Sequence, residues 1–226
     1  MKNLSSQWLW TALLIVAPLA TSGCTPGSMG FLMALGQDAL VAPECPLAKP
    51  GKEIKVVVVA DAGMKFEPEL SDVDKLLSAR LVETLRESYK ASKEKVEVVP
   101  TFKVEAFKQR QLDWRNVSPQ EIGKHFGADY VINLDIIKMS LFEEKTRQLY
   151  RGRAEICVKV LEMNAPEGEG MKFSKDFICP EYPRVSPVDV GGLSVSIFRE
   201  QFLRVVAEEI SHYVSSYPAE RKHNMR

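Results

Sequence analysis

The stretch "EIKVVVVADA", residues 53–62, constrains the fold more than any other. Four consecutive valines leave no alternate position for water, and Gly51 and Gly63 bound the run. A short apolar run rich in β-branched residues reads as a strand buried on both faces. Such a strand needs helices to cover it, and a helix is predicted next. Ser71 with Asp74 makes a plausible N-terminal cap, and Val73, Leu76, Leu77, Leu81, Leu85 and Tyr89 recur at three- and four-residue steps.

The pattern continues in the same style. "KVEVVP" (95–100) is a short second strand stopped by Pro100. "FKVEAFKQRQLDW" predicts a short helix with Phe102, Val104, Phe107 and Leu112 facing inward. "SPQEIGKHFG" carries a full set of local helix signals: Ser118 as cap, Pro119 in the first turn, Glu121 as the capping-box acid and Gly127 as the stop. A third strand follows at 128–141, then a hairpin of 149–164 with 171–179 joined by "APEGEG". A final helix from about Leu193 to Tyr213 has Phe198, Phe202, Val205, Val206, Ile210 and Tyr213 as its apolar stripe. The order β-α-β-α-α-β-β-β-α predicts an α/β (α+β) fold: one domain, two or three layers, with a mixed β-sheet flanked by helices.

Upstream, Lys2 precedes an apolar run, Trp8 to Ala20, of roughly the 7–15 residues of a signal-peptide core. It is shorter than the ~20 residues that span a bilayer as a helix. Thr21, Ser22, Gly23 and Cys24 come next, and the stretch resembles a bacterial lipoprotein signal with Cys24 as the lipid attachment site. Thr21 stands where such signals usually carry Leu, and the alternative is a plain secretory signal cut near Ser22 or Gly23. The resemblance implies palmitate-type acylation and a periplasm-facing, outer-membrane-anchored protein of the cell envelope; the alternative is a soluble periplasmic or secreted chain. Each buried methylene contributes about 0.8 kcal/mol, so two or more chains give stable anchoring. The expected organisation is a signal peptide at 1–23, a tether at 24–52 with a sticky piece at Phe31 to Leu35, the domain at 53–217 and a polar tail at 218–226.

A second resemblance rests on Ile122, Gly123, Gly127, Ala128, Asp129, Tyr130, Val131 and Ile132. With the strand and helix before them, covering about residues 54–138, they are similar to the curli-secretion-channel family and the amino-terminal domain of TolB. The chain also looks similar to uncharacterised exported proteins of planctomycetes. The channel family implies an α/β domain that works by protein contacts. Residues 140–226 lack its membrane-spanning hairpins, so a pore is not expected.

The chemistry is sparse. Thirty basic and thirty acidic residues cancel, so no field for nucleic acid is expected. His125, His212 and His223 sit in no metal-ligand spacing, no phosphate-cradling or nucleophile-elbow motif occurs, and no cofactor, metal or catalytic residue is expected. Asp61, at the end of the first strand, is the best-placed carboxylate, since ligands favour strand carboxyl ends. "DVGGLS" (189–194) offers amides to an anion or is a flexible linker, and "EEKTRQLYRGR" (143–153) offers charge to an acidic partner or is a solvated hairpin end. Cys45, Cys157 and Cys179 leave several disulfides open: Cys157 with Cys179, or Cys45 with either. A Cys157–Cys179 pair requires opposed hairpin positions summing to 336, and a one-residue shift matches the faces better.

The function expected is that of a non-catalytic envelope lipoprotein, an adaptor or assembly component with envelope proteins as partners. The alternatives are a subunit of an oligomeric secretion or transport apparatus, with homo-oligomers, and an exported hydrolase using Asp61 with His125.

Overall fold

The computed structural model describes residues 40–63, 66–166 and 170–219. The signal segment, Cys24, Phe31 to Leu35 and His223 lie outside the described residues. In chain order the elements are β1 (Leu40–Val41), β2 (Ile54–Asp61), α1 (Val73–Ala91), β3 (Val96–Val98), α2 (Thr101–Arg110), α3 (Pro119–Phe126), β4 (Tyr130–Phe142), β5 (Leu149–Glu162), β6 (Met171–Tyr182), β7 (Val188–Asp189), α4 (Val195–Ser211) and β8 (Tyr217–Pro218). Short 3-10 turns occupy Pro68–Leu70 and Trp114–Asn116.

The main sheet runs β3-β2-β4-β5-β6, with β7 added to β5. β3, β2 and β4 are parallel, whereas β4, β5 and β6 form an antiparallel meander. The sheet is therefore mixed and flanked by helices, as the element order predicts. β1 and β8 make a separate two-stranded ladder.

The valine run has the physical cause assigned to it. Val56, Val58 and Ala60 enter the large core that also holds Leu77, Leu81 and Leu85 of α1 and Phe198, Phe202 and Val206 of α4. Val57 and Val59 enter a second core with Val104 of α2 and Ile122 of α3. Fully burying each such side chain contributes about 1.5–3 kcal/mol. β5 shows the other pattern: from Leu149 to Val160 every second residue, Tyr150, Gly152, Ala154, Ile156, Val158 and Val160, is buried, while the residues between them are not. That strict alternation marks a strand covered on one face only.

β4 changes from one pattern to the other. Tyr130, Ile132, Leu134 and Ile136 face the large core, and Val131 the smaller one. Beyond Val131 the second face turns polar at Asn133 and Asp135. A register shift between Ile136 and Lys138 then brings Met139 and Leu141 back into the core. The domain is thus three layers where α2 and α3 lie and two layers beyond them.

The capping box at α3 is complete. Ser118 Oγ accepts from Glu121 N at 3.2 Å, Glu121 Oε2 accepts from Ser118 N at 2.8 Å, and Gly127 closes the helix at φ +58°. Gly123 is needed for close packing, since a Cβ there would meet Val131 at 2.6 Å and Met163 at 2.7 Å. Asp129 ties the helix exit to the sheet. Its Oδ1 accepts from Lys52 at 2.6 Å, and its Oδ2 from the Lys55 amide at 2.9 Å.

Three local expectations are corrected. Ser71 ends the 3-10 turn, and the residue before α1 is Asp72, which makes no side-chain cap. Phe102 and Leu112 are exposed rather than buried, because the short α2 presents Val104 and Lys108 to the sheet. The hairpin pairs Ala154 with Cys179 and Cys157 with Asp176, sums of 333. This register sets Ile156 opposite Phe177 and Val160 opposite Phe173 on the core side, and neither arrangement drawn from the cysteines occurs.

Candidate functional site

Among the described residues, the meander presents a bare face. α4 covers one side of β4–β5–β6; on the other, Arg151, Arg153, Glu155, Cys157 and Lys159 of β5 point away from the core. Charges there pair across strands: Lys159 with Asp135 at 2.7 Å, Lys138 with Glu155 at 3.1 Å, and Arg151 with Glu181 at 2.6 Å. Glu143 takes both Arg153 at 2.6 Å and Arg151 at 3.0 Å. The Arg153 hydrogen bond and the Glu144 amide hold its carboxyl below the usual range. Arg147 binds Glu69 at 2.7 Å. The 143–153 segment is therefore a hairpin end whose arginines are answered within the chain.

Among these pairs lies an apolar groove of about 500 Å³, lined by Phe66, Ile137, Ile178 and Pro180 with Lys138 and Glu155 at its sides. Ile178 is 65% exposed and Ile137 37%, so the groove presents large apolar side chains to solvent. The β6 edge beside it is guarded. Pro180 lacks an amide donor, and Lys175 is tied to Glu44 at 2.6 Å. The exposed apolar surface lies on the face, not on an open strand edge.

A second concavity, about 360 Å³, lies where β2 ends beside the middle of β4. It contains Asp61, which the position rule singles out. Asp61 and Asp135 are register partners on neighbouring parallel strands. Asp135 is fully engaged by Asn133 at 2.7 Å and Lys159 at 2.7 Å. That bond from Asp135 raises the Lys159 ammonium above its ordinary value. Asp61 is less well served: Arg115 Nε stands 3.7 Å from its Oδ1, which is shielded from solvent and accepts no hydrogen bond. Trp114, Val117, Gln120 and Met171 complete the walls. Behind them the buried Lys108 donates to the Ala60 carbonyl at 3.0 Å, pairs with Glu105 at 3.2 Å and sits 4.3 Å over the Trp114 ring. Sequence reading found Asp61 alone. Its neighbours come from the Trp114–Asn116 3-10 turn, α3, β4, β5 and β6, and nothing in local spacing marks them.

The other candidates are dispersed. Asp61 shares its pocket with Pro119 and Gln120 in the first turn of α3, whereas His125 is in the last turn, its ring tilted against Phe107 at 4.4 Å. The pair invoked for a hydrolase is not assembled. His212 stacks on Tyr217 at 3.7 Å. In "DVGGLS" the Gly191 amide donates to Asp189 Oδ1 at 2.7 Å and the Gly192 amide to the Asp189 carbonyl at 3.2 Å, so these amides are answered internally. Cys45, Cys157 and Cys179 are free thiols: Cys157 is on the bare face, and Cys45 and Cys179 are buried in the core. No described helix is long and apolar enough to cross a membrane. Among the described residues no three His, Cys, Asp or Glu side chains converge as metal ligands.

No family model and no curated protein matches the chain. Among solved structures it is similar to the PelC dodecamer from Paraburkholderia phytofirmans, at 12% identity over 76% of this chain and 95% of that one, TM-score 0.41. It is also similar to lipoprotein GNA1162 from Neisseria meningitidis, at 15% identity over 70% and 98%, TM-score 0.41. A third is the LpoB C-terminal domain from Salmonella enterica, at 12% identity over 67% and 93%, TM-score 0.31. Likeness at this level assigns no activity.

Proposed function

We propose that the chain is a cell-envelope lipoprotein, held to the outer membrane through Cys24, whose domain acts without catalysis by docking an envelope protein on the bare face of β4–β5–β6. The observation that carries the docking is the groove between Ile137 and Ile178, open to solvent on a sheet face that no described helix covers. Apolar centre and paired polar surround are the anatomy of a protein interface. The tether rests on the signal-like segment before Cys24.

Two measurements on natively expressed protein test this. Intact mass and membrane fractionation beside Cys24→Ser decide the tether: added acyl mass starting at Cys24, lost in the variant, is expected. A soluble product cut near Ser22 overturns it. Photo-crosslinking from position 178, with position 87 on the opposite helix layer as control, decides the docking. A discrete adduct from 178 only, abolished by Ile137→Glu, is expected. Equal labelling from both positions refutes the docking, and an adduct with a second copy of this chain replaces the adaptor by a subunit of an oligomeric assembly.

A further inference from the structure

We propose that the pocket at the carboxyl end of β2, beside Asn133 and Asp135 of β4, binds a neutral saccharide ring, with Asp61 and Arg115 holding neighbouring hydroxyls and Trp114 forming the apolar wall. This site is separate from the groove and does not depend on the tether.

The first argument is the open acceptor. Asp61 Oδ1 is shielded from solvent without a hydrogen bond, and 3.7 Å to Arg115 Nε is too long for one. A shielded acceptor left unpaired is unfavourable, and a ligand O–H would answer it. Arg115 is 64% exposed and has guanidinium donors beyond Nε. Neighbouring hydroxyls of a sugar suit this pair, because each hydroxyl donates and accepts. One gives its proton to Asp61 while the next accepts from Arg115.

Charge is the second argument. Asp61 and Asp135 are balanced by Arg115 and Lys159, and Glu105 with Lys108 behind them is balanced too. No net field recruits an anion or a cation. A charged ligand would compete for ions that already have partners, whereas hydroxyls add to both without separating them.

Shape is the third. Trp114, Val117 and Met171 offer apolar surface to the C–H face of a pyranose, and Asn133 and Gln120 lie within the same cavity for its remaining hydroxyls. Its volume of about 360 Å³ falls within the roughly 300–1,000 Å³ of small-molecule sites.

The test is calorimetric titration of the full chain with glucose, galactose, N-acetylglucosamine, maltotetraose and chitotetraose, with the dipeptide glycyl-leucine as a zwitterionic control. Binding of at least one sugar is expected, weakened tenfold or more by Asp61→Ala and by the surface change Arg115→Ala. Trp114 emission should shift on addition of that sugar, a component absent from Trp114→Phe. Far-UV circular dichroism checks that each variant is folded. No heat with any sugar at 20 mM overturns the proposal, as does binding that survives both Asp61→Ala and Arg115→Ala. Binding of the dipeptide but no sugar replaces the saccharide with a zwitterion.

Discussion

Phe202 of α4 lies against the backbone of Gly152 on β5, so closely that a Cβ at residue 152 would meet ring carbons at 2.6–2.8 Å. This contact seats α4 on the sheet, and glycine is the residue that permits it. Gly152→Ala should destabilise the domain by about 1–3 kcal/mol, the usual cost of overpacking. Phe202→Leu in the same chain should recover part of the loss, because the two sites share one contact. Urea midpoints of the single and double variants check this; full additivity would exclude the contact as the cause.

Asp129 gives a stability that depends on acid. Burial opposes its charge, but the Lys52 ammonium and the Lys55 amide outweigh that and hold its carboxyl below the ordinary value. A depressed folded pKa means the stabilisation is full above the unfolded value of about 3.9 and fades as pH falls through the folded one. Asp129→Ala should therefore cost about 1–3 kcal/mol at pH 7. The difference from the parent should shrink below about pH 4. Urea unfolding at a series of pH values measures it, and a difference constant down to pH 2 contradicts the assignment.

The α3 cap is separable from the core. Ser118→Ala removes the acceptor for the Glu121 amide and should cost about 1 kcal/mol. Ser118→Asp, which restores an acceptor, should recover most of it. Thermal melts of the two variants decide; equal losses would show that the cap is not what matters at this position.

Thiol reactivity reports the two faces of the meander. Cys157 is on the bare face, its thiol raised by partial burial and by Asp176. Cys179, in the core, is pushed up to about 11 by burial. In folded Cys24→Ser, a disulfide reagent at pH 8 should modify Cys157 slowly and leave Cys45 and Cys179 until urea is added. Mass spectrometry of the labelled peptides checks this. Rapid labelling of all three, or of none even in urea, would contradict the free, face-separated thiols.

Particular residues show where the sequence was legible. The capping box from Ser118 to Gly127 was, because every group in it lies within ten positions and answers a backbone need created locally. The hairpin of 149–164 with 171–179 was, because alternation along each strand is a local record of one-sided burial. Phe102 and Leu112 misled, because a short helix is oriented by what its neighbours leave open, and Val104 with the buried Lys108 took the inner side. The hairpin register was not legible from Cys157 and Cys179: it sets Ile156 opposite Phe177 and Val160 opposite Phe173, pairs that cysteine spacing does not record.

By itself the sequence determined the kinds of element and the face each hides, since those follow from periods of two and about 3.6 residues along the chain. It also placed Asp61 at a strand's carboxyl end. Tertiary structure decided what is exposed and what meets. β4 outruns β2, whose last pair is Asp61 with Asp135, and on β4 and β5 the α2–α3 layer packs only on Val131 and Leu161, so the rest of the meander keeps one face bare of the described helices. The same ending brings Arg115, Asn133 and Lys159 from distant positions around Asp61. Both sites arise from mismatched lengths of neighbouring elements, a relation between segments that neither segment's sequence contains.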